Sequence, residues 1–143
     1  SIIIADFDES LKSVTTSLLY TDISPKKKYF ITLNQWFDKS LLGEASSQPL
    51  YFPSINKKNY EDFSLEYFNK FDQYPNQLSF LSFDLVGLVY YLILQNNSAV
   101  DEKIFTKKNL FKGKVGIFEI KNNKINHILN FYKVESGEFK KIF

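Results

Sequence analysis

The chain has 143 residues, enough for one domain or one piece of a larger one, and at 44% hydrophobic and 17% aromatic it can fill a packed core, which excludes disorder as a global description. Its formal net charge is +2, so no field strong enough to capture nucleic acid or an anionic membrane follows from charge alone. All 18 basic residues are Lys, which argues against a sequence-specific reader of duplex DNA. There is no Cys, so disulfides, thiol catalysis and thiolate metal sites are excluded, and His127 is the only histidine on which a catalytic triad or an imidazole metal site could be built.

In chain order, Ile2–Ile3–Ile4–Ala5 is a β-branched run that reads as a buried strand. Met is absent and the chain opens in this strand, so a fragment whose missing part lies upstream is expected. Asp6-Phe7-Asp8-Glu9-Ser10 suits a helix N-terminus, and Leu11, Val14, Leu18 and Leu19 follow at helical spacing until Asp22-Ile23-Ser24-Pro25 stops them. Tyr29–Leu33 is a second strand. Strand, helix and strand with short links form a βαβ unit, which implies a parallel pair with a right-handed crossover. Asn34 to Ser47 reads as a loop with a short helical turn, and Leu50-Tyr51-Phe52-Pro53 as a brief strand closed by proline.

Tyr60, Phe63, Tyr67, Phe68 and Phe71 mark one face of an amphipathic helix over 56–71, broken by Tyr74-Pro75-Asn76. Gln77 to Gln95 is a helix apolar nearly all round, expected to be the most buried element. Its longest apolar run, Leu85 to Leu94, is too short to span a bilayer. The polar stretch Asp101 to Leu110 reads as a short helix. Beyond it, strands over 114–120, 127–134 and 139–143, separated by turn signals at Asn122-Asn123 and Ser136-Gly137, read as one C-terminal β-meander.

Asp6-Phe7-Asp8-Glu9-Ser10 after an apolar strand is the sharpest motif. It matches the D-x-D-x-[ST] opening of haloacid-dehalogenase-like phosphatases, in which two carboxylates face one phosphoryl group beside Mg²⁺. Such enzymes need a later acidic pair at another strand end. None follows here, because Asp84 stands alone inside a helix, so helix capping by Asp6 or Asp8 is the preferred reading. The same shortfall meets a resemblance to the acidic start of response-regulator receiver domains. Lys26-Lys27-Lys28 reads as a solvated loop, and His127 as an ordinary strand residue with nothing nearby in sequence to complete a site. Trp36 lies just past a strand's C-terminal end, where ligands of open α/β sheets bind.

The order of elements and five local strings resemble the C-terminal part of type 1 periplasmic binding proteins, the leucine/isoleucine/valine-binding superfamily. Ser82-Phe83-Asp84-Leu85-Val86-Gly87-Leu88 resembles that family's Tyr-Asp-Ala-x-x-Leu helix, and Tyr60 to Pro75 resembles the helix before it. Phe111-Lys112-Gly113-Lys114-Val115-Gly116-Ile117-Phe118 resembles its glycine-marked turn and strand, Asn122-Asn123-Lys124 stands where the family has an Asn-Gly turn, and Val134 to Phe139 resembles its closing strand. The resemblance implies an α/β fold with Rossmann-like lobes, a two-lobed body with a small-molecule cleft, of which residues 1–52 belong mainly to one lobe, 53–110 give helices of the other and 111–143 the C-terminal strands. It implies a non-enzymatic periplasmic receptor, lipid-anchored through the missing N-terminal part, that hands a small polar solute such as an amino acid to the permease of an ABC importer, with no cofactor, metal or nucleic acid. Ligand would be gripped at the strand ends by Asp6, Phe7 and Asp8, and by Asn34, Gln35 and Trp36.

One departure matters. Amino-acid-binding members carry a carboxylate in the loop after the second of these strands, to pair with the ligand ammonium; here that loop begins Leu33-Asn34-Gln35-Trp36 and its first acid is Asp38. The string Trp36-Phe37-Asp38 more closely resembles a related branch, the penicillin-binding-protein activator lipoproteins, whose partner is a cell-wall synthase. A polar cleft carrying Asp6 or Asp8 is expected of a receptor, and a cleft with Trp36 packed inward is expected of an activator. Apolar surface left bare in a fragment would favour a homodimer.

Overall fold

A computed structural model describes residues 1–33, 36–97, 103, 106, 108–122 and 124–143. Its elements are β1 (Ile2–Ile4), α1 (Asp8–Tyr20), β2 (Phe30–Thr32), two 3-10 turns (Lys39–Gly43 and Ala45–Ser47), β3 (Leu50–Ser54), α2 (Lys57–Phe71), α3 (Gln77–Gln95), β4 (Asn109–Lys112), β5 (Ile117–Lys121), β6 (Lys124–Ile128), β7 (Asn130–Glu135) and β8 (Glu138–Lys141). They form two compact units: unit 1 holds Ser1–Ser54 and Asn130–Phe143, and unit 2 holds Ile55–Leu129.

Unit 1 is a mixed sheet in the order β1-β2-β3-β7-β8. β1, β2 and β3 run parallel, with Ile4 opposite Thr32 and Ile31 opposite Tyr51, as the βαβ pattern predicts for the first two. β3 then pairs antiparallel with β7, and β7 with β8 through a turn in which Ser136 and Gly137 both adopt positive φ (56° and 72°), the backbone hand that suits a tight hairpin. Alternation decides the faces: Ile4, Phe30, Thr32, Leu50, Phe52, Ser54, Tyr132 and Val134 are buried, and the odd-numbered residues between them are less so. Pro53 does not close β3, which continues to Ser54. By then β2 has ended, so the missing N–H of Pro53 leaves no pairing unmade on that side. α1 buries Leu11 and Thr15, and the Thr15 hydroxyl meets the Ser47 hydroxyl at 2.9 Å.

Unit 2 joins two helices to the antiparallel sheet β4-β5-β6. Asn side chains start both helices: Asn56 Oδ1 accepts from the Asn59 amide and Asn76 Oδ1 from the Ser79 amide. Asp72, left-handed at φ 53°, ends α2. The helices meet through rings, with Phe80 against Phe63 (4.8 Å) and Tyr60 (5.0 Å). α3 buries only a narrow stripe of Phe80, Asp84, Leu88 and Leu92, the last two clustering with Ile120 against Phe111 and Phe118.

Two expectations need correction. The tail is not one meander. The strand expected over 127–134 breaks at Leu129, so β6 stays in the sheet of unit 2 while β7 and β8 extend the sheet of unit 1. Nor is α3 buried all round, since Leu78, Val86 and Tyr90 remain exposed among the described residues. Although its uninterrupted apolar run is short, α3 as a whole is long and apolar enough to cross a membrane by length and composition, and only 22% of its most apolar stretch is buried inside the fold. The stretch expected as a short helix over 101–110 lies largely outside the described residues, and its end is strand β4.

Candidate functional site

β1 and β2 are parallel neighbours, so the loops that follow them leave the same end of the sheet. Those loops carry the six residues expected to bind ligand. Asn34 and Gln35 lie outside the described residues; Asp6, Phe7, Asp8 and Trp36 are described.

After β1, the Asp6 carboxylate is turned to local work. Oδ1 accepts from the Phe7 amide at 2.9 Å and Oδ2 from the Ser10 hydroxyl at 2.7 Å. Phe7 is the N-cap residue of α1, and its side chain, unable to accept a hydrogen bond, is exposed. Asp8 opens the helix at φ 51°, in the left-handed region, where it and Glu9 complement the positive end of the helix dipole.

After β2, Trp36 and Phe37 are consecutive left-handed residues (φ 48° and 59°), an arrangement that bulky side chains adopt only under constraint. The constraint is packing. Trp36 is 7% exposed and Phe37 3%. The Phe37 ring meets Tyr132 at 4.9 Å, Phe139 at 5.4 Å and Phe52 at 5.8 Å, each edge-on. The acid that follows, Asp38, accepts from the amide and the hydroxyl of Ser40 and so caps the next turn. Beyond the end of β2 the chain therefore supplies its own aromatic filling, and Asp6 and Asp38 each accept hydrogen bonds from neighbours in their own loops.

The other sequence candidates fall elsewhere. Lys26, Lys27 and Lys28 lie in an exposed turn whose amides at 27 and 28 bond to Ser24 O. His127 lies opposite Phe118 in the β5–β6 pair and stacks on its ring at 4.4 Å. Its Nε2 is buried with no hydrogen-bond partner among the described residues. Burial pushes this imidazole below its ordinary value, with Asp84 pulling the other way. Among the described residues, no three metal-ligating side chains come together.

Asp84 is the polar residue that sequence reasoning missed. It is buried on α3, and its carboxylate accepts the amides of Lys114 (2.9 Å), Val115 (2.9 Å) and Gly116 (2.7 Å), closing the turn between β4 and β5. The glycines of that turn were the available signal. A Cβ on Gly113 would lie 2.3 Å from Asp84 Oδ2, and one on Gly116 would lie 2.2 Å from His127 Nε2. In the same unit, a groove of about 810 Å³ runs between α2 and α3, walled by Phe63, Tyr67, Phe83, Val86 and Tyr90. No family model, curated protein or solved structure matches the chain.

Proposed function

We propose that the chain is a non-enzymatic recognition module of the type 1 periplasmic binding class that acts through protein–protein contact, in the manner of the penicillin-binding-protein activators. The observation that carries this reading is the inward packing of Trp36 and Phe37 at the strand end where a receptor of this class would hold its solute. The loop acids support it, since Asp6 and Asp38 already accept hydrogen bonds from their own neighbours. The parallel order β1-β2-β3 with α1 between the first two strands supports the fold class. The module is then periplasmic, and its partner a cell-wall synthase.

A second reading keeps the solute receptor of an ABC importer, for an amino acid or similar polar molecule. Backbone strain favours it: Asp8, Trp36 and Phe37 are all left-handed at one end of the sheet, and such strain collects at binding sites.

Ligand-dependent melting against a panel of amino acids and other small polar solutes separates the two. A receptor at about 100 times Kd gains roughly 2.7 kcal/mol, a readily visible rise in Tm. The activator reading expects no shift across the panel, together with measurable binding to a purified penicillin-binding protein. A selective shift that Asp6→Ala abolishes overturns it in favour of the receptor. Trp36, the only tryptophan, gives a second readout: its emission stays that of a buried indole at every solute concentration.

A further inference from the structure

We propose that His127 and Asp84 make an acid-operated latch, which holds the β4–β5 turn against α3 while the imidazole is neutral and releases it when the ring takes up a proton. The turn is tied to the helices at two points. Asp84 of α3 accepts the amides of Lys114, Val115 and Gly116, and the Lys114 ammonium pairs with Glu66 of α2. The amides of Val115 and Gly116 share one carboxylate oxygen, Oδ2.

Gly116 joins the two halves of the device. Its N–H donates to Asp84 Oδ2 at 2.7 Å, and a Cβ on the same residue would collide with His127 Nε2, so carboxylate and ring nitrogen border one backbone unit. The ring is held there by its stack on Phe118. Whichever nitrogen carries the proton of the neutral ring, the imidazolium carries one on Nε2, and that atom is buried with no partner among the described residues. A buried cation without acceptor or counter-charge is costly. Strand alternation puts Phe111, Gly116, Phe118, Ile120 and Ile125 on the face of His127, none of them charged. Glu119, Lys121 and Lys124 alternate onto the other face. From α3, Asp84 is the anion whose field favours the protonated ring. Its Oδ2 is occupied by two amides, and Gly116 stands against the ring. An ion pair between Nε2 and Asp84 therefore forms only if Gly116 moves and gives up its own bond. Protonation exchanges amide bonds for that pair, and the turn comes free with Lys114.

Burial keeps the latched ring below its ordinary 6.5, and the released ring returns to that value, so the latch opens as pH falls below about 6.5. Amide exchange followed by NMR on the full chain, from about pH 8 to pH 5, tests this, with each rate set against the free-peptide rate at the same pH. Protection of the Val115 and Gly116 amides should fall below about pH 6.5, by up to about tenfold per pH unit, while that of Leu88 and Ile120 holds. His127→Phe keeps a ring to stack on Phe118 and removes the titration, so protection at 115 and 116 should then stay level. If that variant fails to fold, the contrast of 115 and 116 with 88 and 120 in the unaltered chain stands by itself. Protection at 115 and 116 that is indifferent to pH overturns the inference. So does a fall shared equally by Leu88 and Ile120, which marks loss of the whole unit. A fall that persists in His127→Phe also overturns it, since the proton then lands on another group, such as Asp84 itself.

Discussion

Phe37 in unit 1 and Asp84 in unit 2 do the same job by opposite physics. Each fixes a loop that the backbone alone would leave undecided. Phe37 does so by fit, its ring wedged among three others while its own φ is held at 59°. Asp84 does so by charge-assisted hydrogen bonds, one carboxylate satisfying three successive amides, of which those of Val115 and Gly116 are buried. An apolar wedge fails gradually with lost volume, because neighbouring side chains relax into the space. A carboxylate clamp fails abruptly, because orphaned amides find no substitute away from water.

The sharpest way to separate the two is to delete each. Phe37→Ala should cost about 3–5 kcal/mol, the range for a large aromatic removed from a core. Trp36 emission should shift to the red, and amide exchange at 114–116 should be unchanged. Asp84→Ala should cost about 2–4 kcal/mol through the amides it strands, and the signs should reverse: exchange at 114–116 accelerates while Trp36 emission holds. If either deletion moves both readouts equally, the contrast between the two locks fails. Crowding the clamp is a milder attack. Gly116→Ala puts a methyl where His127 Nε2 sits, and about 1–3 kcal/mol of overpacking should appear as a lower urea midpoint.

The smallest effect is a dependence on pH. His127 binds its proton less readily folded than unfolded, because burial lowers its folded value from the ordinary 6.5. The unfolded chain therefore binds more protons as pH drops through that value. Stability should be fully present above about 6.5 and decline as pH falls toward the lowered folded value. Comparing urea midpoints at about pH 8 and pH 5 tests the sign, and His127→Phe should flatten the difference.

Local patterns were legible where local physics decides. The β-branched run at Ile2–Ile4, the acids at the start of α1 and the apolar spacing after them predict two neighbouring parallel strands, and the sheet has them. The tail was misread because the break at Leu129 carries neither glycine nor proline, and alternation continues on both sides of it. Which sheet a strand joins is settled by partners far away in sequence: β7 pairs with β3 some eighty residues earlier, with Asn130 opposite Ser54. The apolar girth of α3 announced how much surface it could bury, and left open what would cover it. Asp84 was read as isolated because its partners, 30 to 32 residues later, are backbone amides that no side-chain motif spells out. At the strand ends the residue types drew the eye to Asp6 and Trp36. Their orientation, one occupied by its own Ser10 and the other turned inward, depends on tertiary packing.

The pairing of Ser54 with Asn130 has a consequence for the order in which the molecule can be made. Unit 2 leaves unit 1 after Ser54 and returns at Asn130, two residues that face each other across β3 and β7. In a chain emerging from the ribosome, everything unit 2 needs is present before the first residue of β7 has been added. β3 must meanwhile wait with one edge unpaired, since the strand that closes it, β7, follows unit 2 in the chain. The unit encoded between β3 and β7 can finish first, and β3 is sealed only after that unit has been made.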